Sequence, residues 1–195
     1  MSHYPFSPKR LDQFREYLVL EHAFLPHEIV QINNLWDEHS SLDAELEGND
    51  EKEDITIRKS SVLPISPHSE HNWIFQRLTD LAHKCNQHSY HFDLMGFYEP
   101  LQLAEYQEGD FFDWHLDFGI GSTSTRKLSI TVQLSDPTTY DGGRLQFRIN
   151  DKTIDASDKP GTAIIFPSFI MHRVSPITRG KRRSLVGWVT GNHYR

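Results

Sequence analysis

From Leu101 onward the chain is a succession of short β-branched and aromatic runs punctuated by Gly, Pro, Asp and Ser, which constrains its fold more than any other feature. The runs Leu101 to Tyr106, Lys127 to Leu134, Arg144 to Ile149, Thr162 to Phe166 and Ser184 to Thr190 each have the length of a strand. Many short strands joined by such turns pack as an antiparallel sandwich or jelly roll. The first 92 residues read as mainly helical. Leu25-Pro26-His27-Glu28 opens a helix with proline where its missing N–H costs nothing, and Ile29, Ile32, Leu35 and Trp36 form its apolar stripe. Ile74, Leu78, Leu81 and Cys85 recur at steps of four, three and four, which predicts a second helix from about Asn72 to Cys85. Between them, Ile55 to Leu63 has the β-branched content of a strand, closed by Pro64 and Pro67. The expected class is α+β with a mainly β core over 93–195, braced by residues 1–92, in one domain of 195 residues.

Charge and composition narrow the partners. The formal net charge of −7 is concentrated in one stretch: Asp43 to Asp54 holds seven acids and Lys52, and the rest of the chain is nearly neutral. No basic stripe remains to neutralise phosphates, so nucleic acid is not an expected partner. The acidic stretch reads as a solvated loop. Hydrophobic content of 37% with 12% aromatic residues fits a folded globule, and no apolar run is long enough to span a bilayer, so no membrane partner is expected. The start, Met1-Ser2-His3-Tyr4-Pro5, lacks a secretory pattern, and the one cysteine, Cys85, fits a reducing compartment. A cytoplasmic location is the expectation. Oligomeric state has no signal in the sequence.

His115 and Asp117 stand two apart in Asp113-Trp114-His115-Leu116-Asp117. On an extended strand these positions share a face, so an imidazole and a carboxylate converge. Among 12 histidines such a pair arises easily by chance. His172 changes its weight, because it follows a rigid apolar strand and two turns, Pro160-Gly161 and Pro167-Ser168. Two imidazoles and one carboxylate on one side of a metal are the ligand set of non-haem Fe(II) oxygenases. Ten residues on, Arg182 alternates with Ser184, Val186 and Trp188. If that set faces inward, a guanidinium fork is aimed at a carboxylate, and a buried arginine demands such an anion. The loop Phe118 to Arg126 follows Asp117 directly, and its two glycines make it a candidate lid; Arg126 and Trp114 are candidate substrate contacts.

With these pieces in order, the chain resembles the Fe(II)- and 2-oxoglutarate-dependent dioxygenases of the prolyl 4-hydroxylase type. The resemblance covers roughly Asp93 to Arg195: Tyr106-x-x-Gly109 before His115-x-Asp117, then Leu128 to Ser135, Asp141-Gly142-Gly143-Arg144-Leu145, Gly161 with Phe166-Pro167, and His172 with Arg182. The Tyr140-Asp141-Gly142-Gly143 turn and His172-Arg173-Val174-Ser175-Pro176 look most like the bacterial branch sharing the prolyl and lysyl hydroxylase domain. The resemblance implies a double-stranded β-helix with Fe(II) held by His115, Asp117 and His172. It implies 2-oxoglutarate as small-molecule cosubstrate, O2 as oxidant, and ascorbate as a supporting reductant. The distal carboxylate of 2-oxoglutarate would lie on Arg182 and Tyr106, with Ser184 as a further donor. Thr131 or Ser129 would line the same pocket, and alternation does not separate them because they share parity. The implied reaction hydroxylates an unactivated C–H, of a prolyl or other amino-acid residue in a peptide or protein, and releases succinate and CO2. The alternatives are a hydroxylase of a free amino acid or other small molecule, and a non-catalytic jelly roll that binds metal. Asp117 speaks against a halogenase, which needs that position for halide.

Overall fold

The computed structural model describes residues 14–38, 42–43, 57–68 and 70–194. Its strands are β1 (Leu18–Leu20), β2 (Leu42–Asp43), β3 (Arg58–Lys59), β4 (Ser61–Ile65), β5 (Leu94–Gly96), β6 (Leu101–Tyr106), β7 (Phe111–His115) and β8 (Arg126–Gln133). They continue with β9 (Asp141–Gly142), β10 (Leu145–Ile149), β11 (Lys152–Asp155), β12 (Ala163–Pro167), β13 (His172–Val174), β14 (Ile177–Arg179) and β15 (Arg182–Gly191). The helices are α1 (Pro26–Glu38) and α2 (Asn72–Cys85). None among the described residues is long and apolar enough to cross a membrane.

Two antiparallel, open sheets make the β core. The larger runs β1-β12-β8-β15-β6-β4-β2, with β5 also on β15, and the smaller runs β11-β10-β13-β7-β3. Register explains how the larger sheet separates core from site. Ala163, Val132, Leu185, Leu103 and Leu63 stand opposite one another across five strands, and so project from one face. That face is apolar and packs on Ile32 of α1 and Ile74, Leu78, Ala82 and Cys85 of α2. Each such aliphatic side chain contributes about 1.5–3 kcal/mol on burial. One residue along, the face reverses. Ile164, Thr131, Val186, Gln102 and Pro64 form the opposing row, and with it come Ser129, Gln133, Arg182, Ser184, Trp188 and Tyr106.

The helices are held as well as packed. The Glu28 carboxylate accepts the Leu25 N–H at 2.8 Å at the start of α1. Arg77 of α2 donates to the same carboxylate at 2.8 Å and to the Ala23 carbonyl at 2.8 Å. At the end of α2 the chain makes a π-helical turn over Asn86–Tyr90 and reverses at His91, which has a left-handed φ of 54°. The Asn86 side chain closes that reversal by bonding both the N–H and the carbonyl of Phe92 at 2.8 Å.

The predicted helix over 72–85 has those bounds, and the five predicted strand runs are strands within two residues at each end. Two expectations need correction. Residues 1–92 do more than brace, because β1, β3 and β4 enter the sheets, and β4 lies directly beside β6. Pro64 does not close its strand either: β4 runs through it to Ile65. Beyond Val62 the described partner of β4 is β6 alone, so the missing proline N–H is accommodated at an open edge. The acidic stretch from residue 44 to 54 lies outside the described residues.

Candidate metal and oxoacid site

His115 and His172 meet as a cross-strand pair. The β7–β13 register sets them opposite each other, and their ring centroids are 4.2 Å apart. Each ring is turned by a backbone carbonyl: His115 Nδ1 lies 2.7 Å from the Asp113 oxygen, and His172 Nδ1 lies 2.9 Å from that of Ile170. A carbonyl only accepts, so both Nδ1 atoms carry a proton and Nε2 is the ring atom turned toward Asp117. His115 Nε2 is 3.6 Å from Asp117 Oδ1 and His172 Nε2 is 3.5 Å from Asp117 Oδ2. The three ligating atoms lie within 4.8 Å of one another, in the one such cluster among the described residues.

Asp117 arrives by a different route from the one strand alternation predicts. β7 ends at His115, and Asp117 sits in the bend beyond it. The N–H groups of Asp117 and Phe118 both donate to the Ser168 carbonyl at 3.0 Å, while the Ser168 N–H donates to the Lys127 carbonyl at 3.0 Å. The turn after β12 therefore clamps the bend after β7 onto β8. The Ser129 hydroxyl then donates to Asp117 Oδ2 at 2.6 Å.

Burial opposes ionisation of Asp117, but the two imidazoles and the Ser129 hydroxyl outweigh it and hold the carboxyl well below its usual range. Burial likewise pushes His172 down to about 4, against the pull of the Asp117 charge. A carboxylate between two imidazoles is a donor set suited to a divalent transition metal, with each Nε2 oriented by a bond on the opposite nitrogen. The residues fit Fe(II).

Arg182 is the largest fully buried side chain among the described residues. It stands opposite Tyr106 in the β6–β15 register, its guanidinium 5.7 Å from the Tyr106 ring. It donates to Gln133 Oε1 at 2.9 Å and lies 3.5 Å from the Ser184 hydroxyl. Burial lowers its pKa, and the neighbouring Tyr106 and Tyr140 hydroxyls oppose that. All these partners are neutral, and no carboxylate pairs with Arg182 among the described residues. Gly143 packs against its methylene chain in a left-handed conformation (φ 56°), and a Cβ there would collide with Ile177.

All seven expected site residues belong to this region. His115, Asp117 and His172 form the cluster, while Arg182, Tyr106 and Ser184 gather around the guanidinium. Thr131 and Ser129 both face inward. Ser129 turns out to hold Asp117, and Thr131 stands between it and Gln133 on the same strand face. Gln133, Tyr140 and Ser168 were not among the expected residues. Gln133 was within reach of sequence reasoning, since it shares parity with Ser129 and Thr131, whereas Tyr140 and Ser168 act from turns that have no periodicity.

A cleft of about 340 Å³ opens beside the cluster, lined by His115 and Asp117 together with Arg58, Gln102, Phe112, Arg126 and Trp188 among others. Arg126 is a cleft residue, as expected, but it is already committed. Glu99 pairs with it through Nε at 2.8 Å and through Nη2, and it stacks over the Trp188 ring at 3.8 Å. Trp114 is not a cleft residue: it lies on the other face of β7, between Arg148 and Arg173 at 4.5 and 4.6 Å. The segment Gly121–Thr125 forms a 3-10 turn braced by side chains, with Ser124 donating to the Gly121 carbonyl at 2.6 Å.

Similarity to known proteins agrees with this geometry. Residues 101–190 match the 2OG-Fe(II) oxygenase superfamily. A PKHD-type hydroxylase of Hyphomonas neptunium is 41% identical over 86 residues, which is 42% of this chain and 38% of that protein. A PKHD-type hydroxylase of Synechococcus sp. (strain CC9902) is 33% identical over 98 residues, covering 50% of this chain and 44% of that one. The chain thus spans less than half the length of these curated relatives. A Pseudomonas putida prolyl-4-hydroxylase superposes with a TM-score of 0.72 at 22% identity, covering 91% of this chain and 93% of that one. A Trichoplax adhaerens prolyl hydroxylase, solved with a hypoxia inducible factor peptide fragment, superposes at 0.73 and 16% identity, covering 90% and 83%. Residues 101–190 thus match the 2OG-Fe(II) oxygenase superfamily, and the described residues share the fold of the two prolyl hydroxylases.

Proposed function

We propose that the protein is a 2-oxoglutarate-dependent hydroxylase, with Fe(II) on His115, Asp117 and His172 and the distal carboxylate of 2-oxoglutarate on Arg182. The observation that carries this reading is a pair of features at the junction of the two sheets. A carboxylate and two oriented imidazoles form a metal ligand set, and deeper in the fold a buried guanidinium has no counter-ion among the described residues. A buried, uncompensated guanidinium costs several kcal/mol, and a dicarboxylate offers the missing charge in a bidentate geometry.

When bound, Fe(II), 2-oxoglutarate and O2 supply the oxidation, in which decarboxylation to succinate and CO2 accompanies conversion of a C–H to C–OH. The chain supplies orientation. Asp113 and Ile170 fix the imidazole tautomers, Ser129 fixes the carboxylate, and Gln133 and Ser184 steady the guanidinium. Tyr106 and Thr131 would complete the cosubstrate pocket from the same face. Phe166 and Phe147 pack around His172 and exclude water from behind it.

For the prime substrate we favour a prolyl or other amino-acid residue of a peptide or protein. The support is the likeness to two prolyl hydroxylases, one solved with a bound peptide, and a cleft open enough to admit a chain. The test is succinate release under Fe(II), 2-oxoglutarate and O2 with proline peptides, free amino acids and a cell extract. His115→Ala, Asp117→Ala and His172→Ala should each abolish it. Wild-type-like turnover in any of the three would overturn the assignment, and turnover with none of the substrates would favour a binding protein.

A further inference from the structure

We propose that the prime substrate carries a carboxylate near the carbon that is hydroxylated, and that Arg58 anchors it. The inference rests on the oxygenase reading above and adds the charge of the substrate to it.

The cleft holds two arginines whose electrostatic situations differ. Arg126 is neutralised by a bidentate pair with Glu99. Arg58 is half-buried, and its partners are all uncharged: Nε donates to the Ser60 hydroxyl at 2.8 Å and Nη2 to Gln102 Oε1 at 3.3 Å. A guanidinium has five N–H donors, so most of the fork remains uncommitted. Among the lining residues the one acid is Asp117, which belongs to the metal cluster. The cleft therefore keeps a positive charge that no side chain among the described residues balances. A second donor is also unmatched: Trp188, which lines the same cleft, has a buried indole N–H with no acceptor among the described residues. Buried donors in native structures normally find acceptors, and a ligand is one source.

Position links this charge to the chemistry. Arg58 pairs with Phe112 across the β3–β7 register, and its guanidinium lies 4.8 Å above the Phe112 ring. That ring in turn stacks on the His115 imidazole, with centroids 3.4 Å apart and planes 9° apart. One aromatic ring thus separates the anchor from a metal ligand. A carboxylate held by Arg58 would lie in the same residue as the reacting carbon or in the next one. Two sources share this chemistry, a free α-carboxylate and an acidic side chain beside the target residue. A basic substrate is disfavoured, because it would meet Arg58 as a like charge.

The test is calorimetric binding to the full chain loaded with Mn(II) and 2-oxoglutarate, where no turnover occurs. N-acetyl-L-proline against its amide probes the terminal carboxylate. The blocked peptides acetyl-Ala-Pro-Glu-amide and acetyl-Ala-Pro-Gln-amide probe the acidic side chain. In at least one pair the acid should bind about tenfold tighter, a difference of about 1.4 kcal/mol. Arg58→Gln should erase that preference, and Arg58→Lys, which keeps the charge and loses the fork, should retain part of it. Equal affinity within both pairs, binding by none of the four probes, or an acid preference that survives Arg58→Gln overturns the proposal. The affinity for 2-oxoglutarate, read in the same titrations, separates loss of the fold from loss of the anchor. Failure of the wild-type protein to bind 2-oxoglutarate would overturn the oxygenase reading instead.

Discussion

A guanidinium buried as deeply as Arg182 is unfavourable unless an anion meets it, so this residue is organised for a ligand and weakens the empty fold. Arg182→Gln keeps a donor and removes the charge. It should raise the KM for 2-oxoglutarate by about tenfold to a hundredfold, as expected for a charged hydrogen-bonded partner, measured by succinate formation at varied cosubstrate. The variant should fold at least as stably as the wild type, since it no longer buries a charge. Ser129 works through Asp117. Ser129→Ala leaves the carboxylate without its 2.6 Å donor and should weaken metal binding by about tenfold to a hundredfold, read by Mn(II) titration. Unchanged metal affinity would show that Asp117 is held by the Ser168 clamp alone. Both roles rest on a residue's neighbours, and a serine at the fourth position of β8 is unremarkable until its partner is known.

Among elements, the helix pair tests how the support is fastened. Glu28 sits between the Leu25 N–H and Arg77, which together outweigh its burial and hold its pKa below the ordinary carboxylate value. A carboxylate with a depressed folded-state pKa stabilises the fold fully above the unfolded value of about 4.3, and that contribution is lost as pH falls through the folded value. Glu28→Gln should therefore cost about 1–2 kcal/mol near neutral pH, a figure reduced for the partial exposure of Arg77. In urea denaturation the gap from wild type should narrow below about pH 4. A gap that does not change with pH would assign the loss to packing. Elements were also the scale most legible in the sequence, because periodicity is local. Ile74, Leu78 and Cys85 place α2 without reference to any other residue, and the alternation along β15 puts Arg182 and Trp188 on one face. β3 is two residues long and exists only because β7 is beside it, so no local pattern marks it.

In the whole molecule the site lies at the junction of the two sheets. The smaller sheet brings the two histidines, the bend beyond it brings Asp117, and the larger sheet brings Ser129 and Arg182. A ligand that bridges those sheets should stabilise the protein as a unit. Mn(II) and 2-oxoglutarate together, each near a hundredfold over its dissociation constant, should raise the melting temperature by more than the sum of their separate shifts. The cooperative part should vanish in Arg182→Gln. Simple additivity in the wild type would show that the two sites do not communicate through the sheets.

The sequence by itself determined the strand and helix pattern, the shared parity of Arg182 with Ser184 and of Ser129 with Thr131, and the donor chemistry of His115, Asp117 and His172. Side-chain period and donor type are properties of a residue and its near neighbours, so they survive without the fold. Tertiary structure alone decided that His115 and His172 oppose each other, and that a carbonyl from a distant turn swings Asp117 beyond the end of its strand to meet them. It also decided which charges are matched. Arg126 has Glu99, while among the described residues Arg182 and Arg58 have neutral partners only, and how a charge is matched depends on residues far from it in sequence.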